Sequence, residues 1–60
     1  MPIVQLEILP RNEELKRKLA KEVTQTIVNV LNCPPSEVRM IIREMPKENY
    51  AVAGVLNCDK

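Results

Sequence analysis

Few residues in this 60-residue chain can take part in chemistry. There is no histidine, so the usual acid–base side chain near neutral pH is missing. Cys33 and Cys58 have no imidazole to activate them, and both read as packing or surface residues. The carboxylates are scattered, and without histidine or a CxxC pair a zinc site lacks its usual ligands. The unusual candidate is Pro2. If Met1 is trimmed, as is common before a small second residue, the proline nitrogen becomes a secondary amine, both basic and nucleophilic. An ordinary α-amino group titrates near about 7.7–8.0, and a prolyl amine is somewhat more basic. Apolar surroundings and nearby cations both disfavour its protonated form and favour the neutral amine that a general base requires. A Met-Pro start also reads simply as an extended N-terminus, and with Met1 attached the nitrogen is a tertiary amide with no basic lone pair.

Two arginines give the amine company. Arg11 follows the first apolar segment, and Arg39 lies between Val38 and Met40 at the beginning of the second. A guanidinium can hold a carboxylate through two parallel hydrogen bonds and can stabilise enolate charge. Arg11 reads equally well as a solvated loop charge, whereas Arg39 has apolar neighbours and is less easily read that way.

The elements that must position these residues are legible from periodicity. Residues 3–9 alternate as a strand, with Val4, Leu6 and Ile8 on one face and Gln5 and Glu7 on the other. Pro10 stops it, and Asn12 is the expected N-cap of a helix with Glu13 and Glu14 in its first turn. From Glu13 to about Asn32 the period lengthens, and Leu15, Leu19, Val23, Ile27 and Val30/Leu31 form an apolar stripe. Lys16, Arg17, Lys21, Glu22, Gln25 and Asn29 fall on the remaining surface, and Glu13–Arg17 and Glu14–Lys18 are expected i,i+4 pairs. Pro34-Pro35 ends the helix, and Ser36 can start a short turn. Residues 38–45 read as the second strand, 46–49 as a turn, and 50–56, with the only glycine, as a hairpin or strand.

This order predicts an α/β (α+β) fold. It consists of a single βαβ unit with parallel strands plus a short C-terminal hairpin or strand, all in one domain over residues 1–60. A connection of about 28 residues containing a helix suits a crossover between parallel strands. The starts of parallel strands lie at one end of the sheet, so Arg39 can approach Pro2.

So small a chain is marginal alone, and it has no disulfide framework or metal to help. The apolar share is 45%, yet there is no Trp or Phe and only one Tyr. The sheet is therefore expected to be completed by other copies of the chain. A net charge of +1 gives no electrostatic case for nucleic acid. The apolar runs are too short for a membrane span, and free thiols without a secretion signal fit the cytoplasm.

The stretches Met-Pro-Ile-Val-Gln-Leu-Glu-Ile-Leu, Glu-Glu-Leu-Lys-Arg-Lys-Leu, Pro-Pro-Ser-Glu-Val-Arg-Met-Ile-Ile-Arg-Glu-Met and Glu-Asn-Tyr-Ala-Val-Ala-Gly-Val-Leu together resemble the 4-oxalocrotonate tautomerase family, over Met1 to about Leu56. The resemblance implies βαβ subunits assembled as a homohexamer, a trimer of dimers, and needing neither cofactor nor metal. It implies Pro2 as the catalytic base and Arg39 as the residue that binds substrate and stabilises developing negative charge. Arg11 then holds the distal carboxylate, with the two arginines supplied by neighbouring subunits, and Tyr50 forms an aromatic wall. The implied activity is proton transfer on an unsaturated 2-hydroxy or 2-keto (di)carboxylic acid such as 2-hydroxymuconate. The alternative is a non-catalytic oligomeric subunit of the same fold. Three departures bear on specificity. Pro10 runs directly into Arg11 where most members have a glycine, which shortens the loop by one residue. Ala51 and Ala53 replace frequent glycines, so the hairpin is expected to bend differently. Tyr50 stands where Phe or Trp is common.

Overall fold

The computed structural model describes residues 1–59. Strand β1 (Ile3–Ile8) leads through a loop into helix α1 (Glu13–Leu31), and a short 3-10 turn (Pro35–Glu37) precedes strand β2 (Arg39–Glu44). A second 3-10 turn (Lys47–Asn49) leads into β3 (Ala51–Val52) and β4 (Val55–Leu56), and a third (Asn57–Asp59) follows. The expected βαβ order and C-terminal strand pair are therefore present, and Lys60, the last residue of the expected domain, lies outside the described residues.

β1 and β2 are parallel and in register from Ile3↔Arg39 to Ile8↔Glu44. The alternation predicted for β1 holds: Val4, Leu6 and Ile8 are half-buried while Ile3, Gln5 and Glu7 are exposed. Met40 and Ile42 extend the same face into β2. Period-two side-chain direction turns all five toward the layer formed by α1.

Helix α1 starts where a cap is available. The Asn12 side chain accepts the Leu15 N–H at 2.9 Å, leaving one fewer donor without a partner in the first turn. It ends at Asn32, which takes the left-handed conformation (φ 54°, ψ 52°) and donates its N–H to Val28 O at 2.9 Å. Asn32 thus ends the helix before Pro34 can. The half-buried stripe comprises Leu19, Ala20, Val23, Thr24, Ile27 and Val28. Two expectations for this helix need correction. Leu15, Val30 and Leu31, placed in the stripe, lie open to solvent, because the sheet beneath is too short to reach both helix ends. Lys18 pairs with Glu22 at 3.8 Å rather than with Glu14, whereas Arg17 pairs with Glu13 at 2.9 Å as expected.

The C-terminal strands form an antiparallel hairpin, Ala51↔Leu56 and Val52↔Val55. Its two-residue turn needs positive φ at both positions, and Ala53 (φ 54°) and Gly54 (φ 82°) supply it. The hairpin thus closes despite alanine in place of glycine, at a cost of roughly 1–2 kcal/mol for the Cβ at Ala53.

No described residue of the single chain is buried. The radius of gyration is 14.6 Å, against about 10 Å for a compact domain of this length, and the extents are 43 × 23 × 13 Å. Ile3 and Ile41 lie exposed on the sheet face away from α1, and Val52, Val55 and Leu56 lie exposed on the hairpin. A lone chain leaves this apolar surface in water, so its folded state should exist only when copies associate. Sedimentation at micromolar concentration, with reductant present, should find no folded monomer; a stable folded monomer would refute the inference.

Candidate active site

The hydrogen-bond ladder brings Pro2 and Arg39 together. Arg39 opens β2 opposite Ile3, and its backbone N–H donates to Pro2 O at 3.0 Å. Pro2 is half-buried, whereas Met1 is exposed. The Arg39 side chain donates from Nη1 to Ser36 O at 2.6 Å, so the turn before β2 restrains the guanidinium at this end of the sheet. Among the described residues Arg39 has no carboxylate partner, which leaves its charge uncompensated.

Arg11 lies at the opposite end. Ile3 to Ile8 covers about 17 Å at the rise of a parallel strand, and Arg11 comes three residues later. Its Nη1 donates to Pro10 O at 2.9 Å, and it has no ion-pair partner among the described residues. Beside it runs a groove of about 260 Å³ lined by Ile8, Arg11, Leu15, Lys16 and Leu19. The floor is aliphatic and the two cations are its polar members. Tyr50 is exposed and opens the hairpin segment, with its carbonyl accepting the Asn57 N–H at 2.7 Å. The chain leaves β2 at the Arg11 end before it reaches Tyr50. One chain therefore joins Pro2 to Arg39 and holds Arg11 well away from both.

Glu44, the last residue of β2, escaped the sequence reading. Its Oε2 accepts the Arg11 backbone N–H at 2.9 Å, and its Oε1 meets Lys16 Nζ at 3.0 Å. Lys16, expected on the solvated side of α1, is instead half-buried in this ion pair. The partners lie 33 and 28 residues from Glu44, so no local spacing announces them. The Arg11 N–H, and then the Lys16 ammonium, hold the Glu44 carboxyl below the usual carboxylate range. Both cysteines are free, Cys33 half-buried and Cys58 exposed. Among the described residues no three His, Cys, Asp or Glu side chains gather as metal ligands, and no helix is long and apolar enough to cross a membrane.

Known proteins share this fold over nearly their whole length. A 4-oxalocrotonate tautomerase homologue superposes with a TM-score of 0.93 at 34% identity, covering 100% of this chain and 97% of the other. A heterohexameric 4-oxalocrotonate tautomerase from Chloroflexus aurantiacus gives 0.92 at 28% identity, covering 98% and 97%. The 2-hydroxymuconate tautomerase of Pseudomonas putida is 44% identical over 57 residues, which span 93% of this chain and 90% of that protein. Fold and relatives define a small α/β isomerase subunit. The model of the tautomerase enzyme family matches residues 2–59, and the chain belongs to that family.

The lowered Glu44 value has a consequence for stability. A carboxyl that titrates lower when folded stabilises the fold above its unfolded value, and that contribution is lost as pH falls through the folded value. With its side chain one-third exposed (33%), water and salt screen part of the effect. The urea midpoint at fixed protein concentration should exceed that of Glu44→Gln at neutral pH. The two curves should converge below the usual carboxylate range; a pH-independent gap would assign the difference to something other than this charge.

Proposed function

We propose that the chain is a tautomerase acting on 2-hydroxymuconate or a related unsaturated 2-hydroxy or 2-keto dicarboxylate, with the amine of Pro2 as general base after removal of Met1. The observation that carries the reading is the hydrogen bond from the Arg39 N–H to Pro2 O in a member of the tautomerase family. It ties the carbonyl of the basic residue to the first residue of β2, whose guanidinium is the nearest candidate for binding an anion. The neutral amine takes the hydroxyl proton of the dienol, and the resulting ammonium delivers a proton to carbon further along the conjugated system. Charge develops on the oxygen at C2 between these steps. Arg39 binds that oxygen and the adjacent carboxylate, and stabilisation that grows in the transition state accelerates turnover.

Arg11 takes the distal carboxylate. Of the two cations at its groove, Lys16 is already neutralised by Glu44, whereas the Arg11 guanidinium is not. Since Arg11 lies a full strand length from Pro2 of its own chain, the site is completed by neighbouring subunits. The proposed assembly is a homohexamer, a trimer of dimers; the heterohexamer from Chloroflexus aurantiacus supports six-subunit organisation in this family. Tyr50 lines the pocket and keeps the amine's surroundings apolar. No cofactor or metal enters the proposed reaction.

Arg39→Ala should lower kcat by about 10²–10³, the range for loss of a donor to a developing oxyanion. Arg11→Ala should raise KM for 2-hydroxymuconate by about tenfold, with a much smaller effect on 2-hydroxypenta-2,4-dienoate, the same dienol without the far carboxylate. Equal damage to both substrates would remove Arg11 from the distal-carboxylate role.

The amine itself is tested by one covalent difference. Protein beginning at Pro2 should tautomerise 2-hydroxymuconate, with activity falling at acid pH as the amine is protonated. That limb should lie below the value of an unperturbed prolyl amine, because apolar surroundings and cationic neighbours favour the neutral form. Protein that keeps Met1 should be inactive, its proline nitrogen being an amide. Mass spectrometry verifies each sample, and sedimentation verifies its assembly. Equal activity in verified trimmed and untrimmed hexamers would show that Pro2 is not the base.

A further inference from the structure

We propose that Glu44 is a positioning residue for the distal-carboxylate site, fixing the main chain of Arg11 and so the reach of its guanidinium; the assignment rests on the role given to Arg11 above. The β1–β2 ladder ends with the Met45 N–H donating to Ile8 O at 2.9 Å. Past that rung the next fixed point is Asn12, which caps α1. Pro10 has no N–H to tether the short connection. The Arg11 N–H is a donor within it, and Glu44 Oε2 accepts that donor at 2.9 Å.

The second carboxylate oxygen makes the arrangement rigid. Lys16, in the second turn of α1, holds Oε1 at 3.0 Å, and its own N–H reaches Asn12 O at 3.2 Å. Glu44 thereby joins the end of β2, the root of Arg11 and the start of α1. A carboxylate beside a substrate-binding arginine would normally compete with the substrate's own carboxylate. Here its oxygens go to a backbone N–H and an ammonium, and the Arg11 guanidinium hydrogen-bonds only to Pro10 O among the described residues. One of its five N–H donors is used, and four remain for a ligand. Two-point binding of a carboxylate tolerates little displacement, and an error of about 1 Å at a positioning contact can cost up to about 10²-fold.

The experiment compares KM for 2-hydroxymuconate with KM for 2-hydroxypenta-2,4-dienoate in assembled protein beginning at Pro2. Glu44→Ala should raise the ratio of the two by about tenfold, with a smaller effect on kcat. Glu44→Gln keeps an oxygen for the Arg11 N–H but loses the acceptor and charge that hold Lys16, and should raise the ratio less than Glu44→Ala does. Glu44→Asp keeps the charge but shortens the arm, and should raise the ratio; it decides the matter if the alanine variant fails to assemble. In an Arg11→Ala background the Glu44 substitutions should leave the ratio where Arg11→Ala puts it. An unchanged ratio in Glu44→Ala or Glu44→Asp, or an equal rise for both substrates, while Arg11→Ala alone discriminates between them, would overturn the role of Glu44 and spare that of Arg11. If Arg11→Ala itself fails to discriminate, both assignments fall.

Discussion

The rest of this structure depends on the inability of one chain to cover its own apolar surface. A helix laid on two strands half-buries Val4, Leu6, Ile8, Met40 and Ile42, but water still reaches every one of them. Area bookkeeping at about 25 cal/mol per Å² rewards burial that a single 60-residue chain does not achieve. The exposed apolar residues are not scattered singly. Ile3 and Ile41 share one sheet face, and Val52, Val55 and Leu56 crowd the hairpin. Contiguous patches of this kind mark surfaces of association. Folding and assembly are then one thermodynamic event, with stability tied to protomer concentration.

The same constraint shapes the chemistry. The two strands are parallel, so their starts meet, and Pro2 acquires Arg39 as a neighbour through the backbone ladder itself. Arg11 follows the other end of β1 and cannot reach that proline within one chain. If these groups act together as proposed, their division places the pocket where subunits meet. In such a pocket neighbouring protein would exclude water and strengthen the influence of each guanidinium on the amine. An isolated subunit would have its amine in water, with Arg39 screened and Arg11 distant.

Much of this was legible in the sequence, and the illegible parts share a cause. Alternation over residues 3–9, the Asn12 cap and the change to helical period are all local signals, and each reappears within a residue or two, whereas the helix stop comes from Asn32 just ahead of Pro34-Pro35. The juxtaposition of Pro2 with Arg39 followed from parallel topology alone. The Lys16–Glu44–Arg11 link did not, because contacts between residues about 30 apart leave no periodic trace and a lysine in a polar helix segment looks solvated. The exposure of Val30 and Leu31 was hidden for a related reason: helical spacing marks a face without saying how far the layer beneath extends. At Ala53 the turn overrode residue preference, since a two-residue hairpin demands positive φ whichever residue occupies it.

Register connects the apolar pattern to the reactive end. Strand side chains alternate with period two, so a slip of one residue between β1 and β2 would put Arg39 opposite Pro2 or Val4 and disturb the pairing of every apolar position. Val4 and Leu6 stand opposite Met40 and Ile42 on the helix-facing side, and that match disfavours the slip. A position selected for burial thus also determines which backbone N–H meets the carbonyl of Pro2. The far end repeats the logic with charge: once Ile8 is opposite Glu44, the carboxylate is within reach of the loop that carries Arg11. One ladder of six residue pairs therefore positions both the proline–arginine end and the Arg11 end. A substitution in its middle that shifted the register would disturb both ends without touching either arginine.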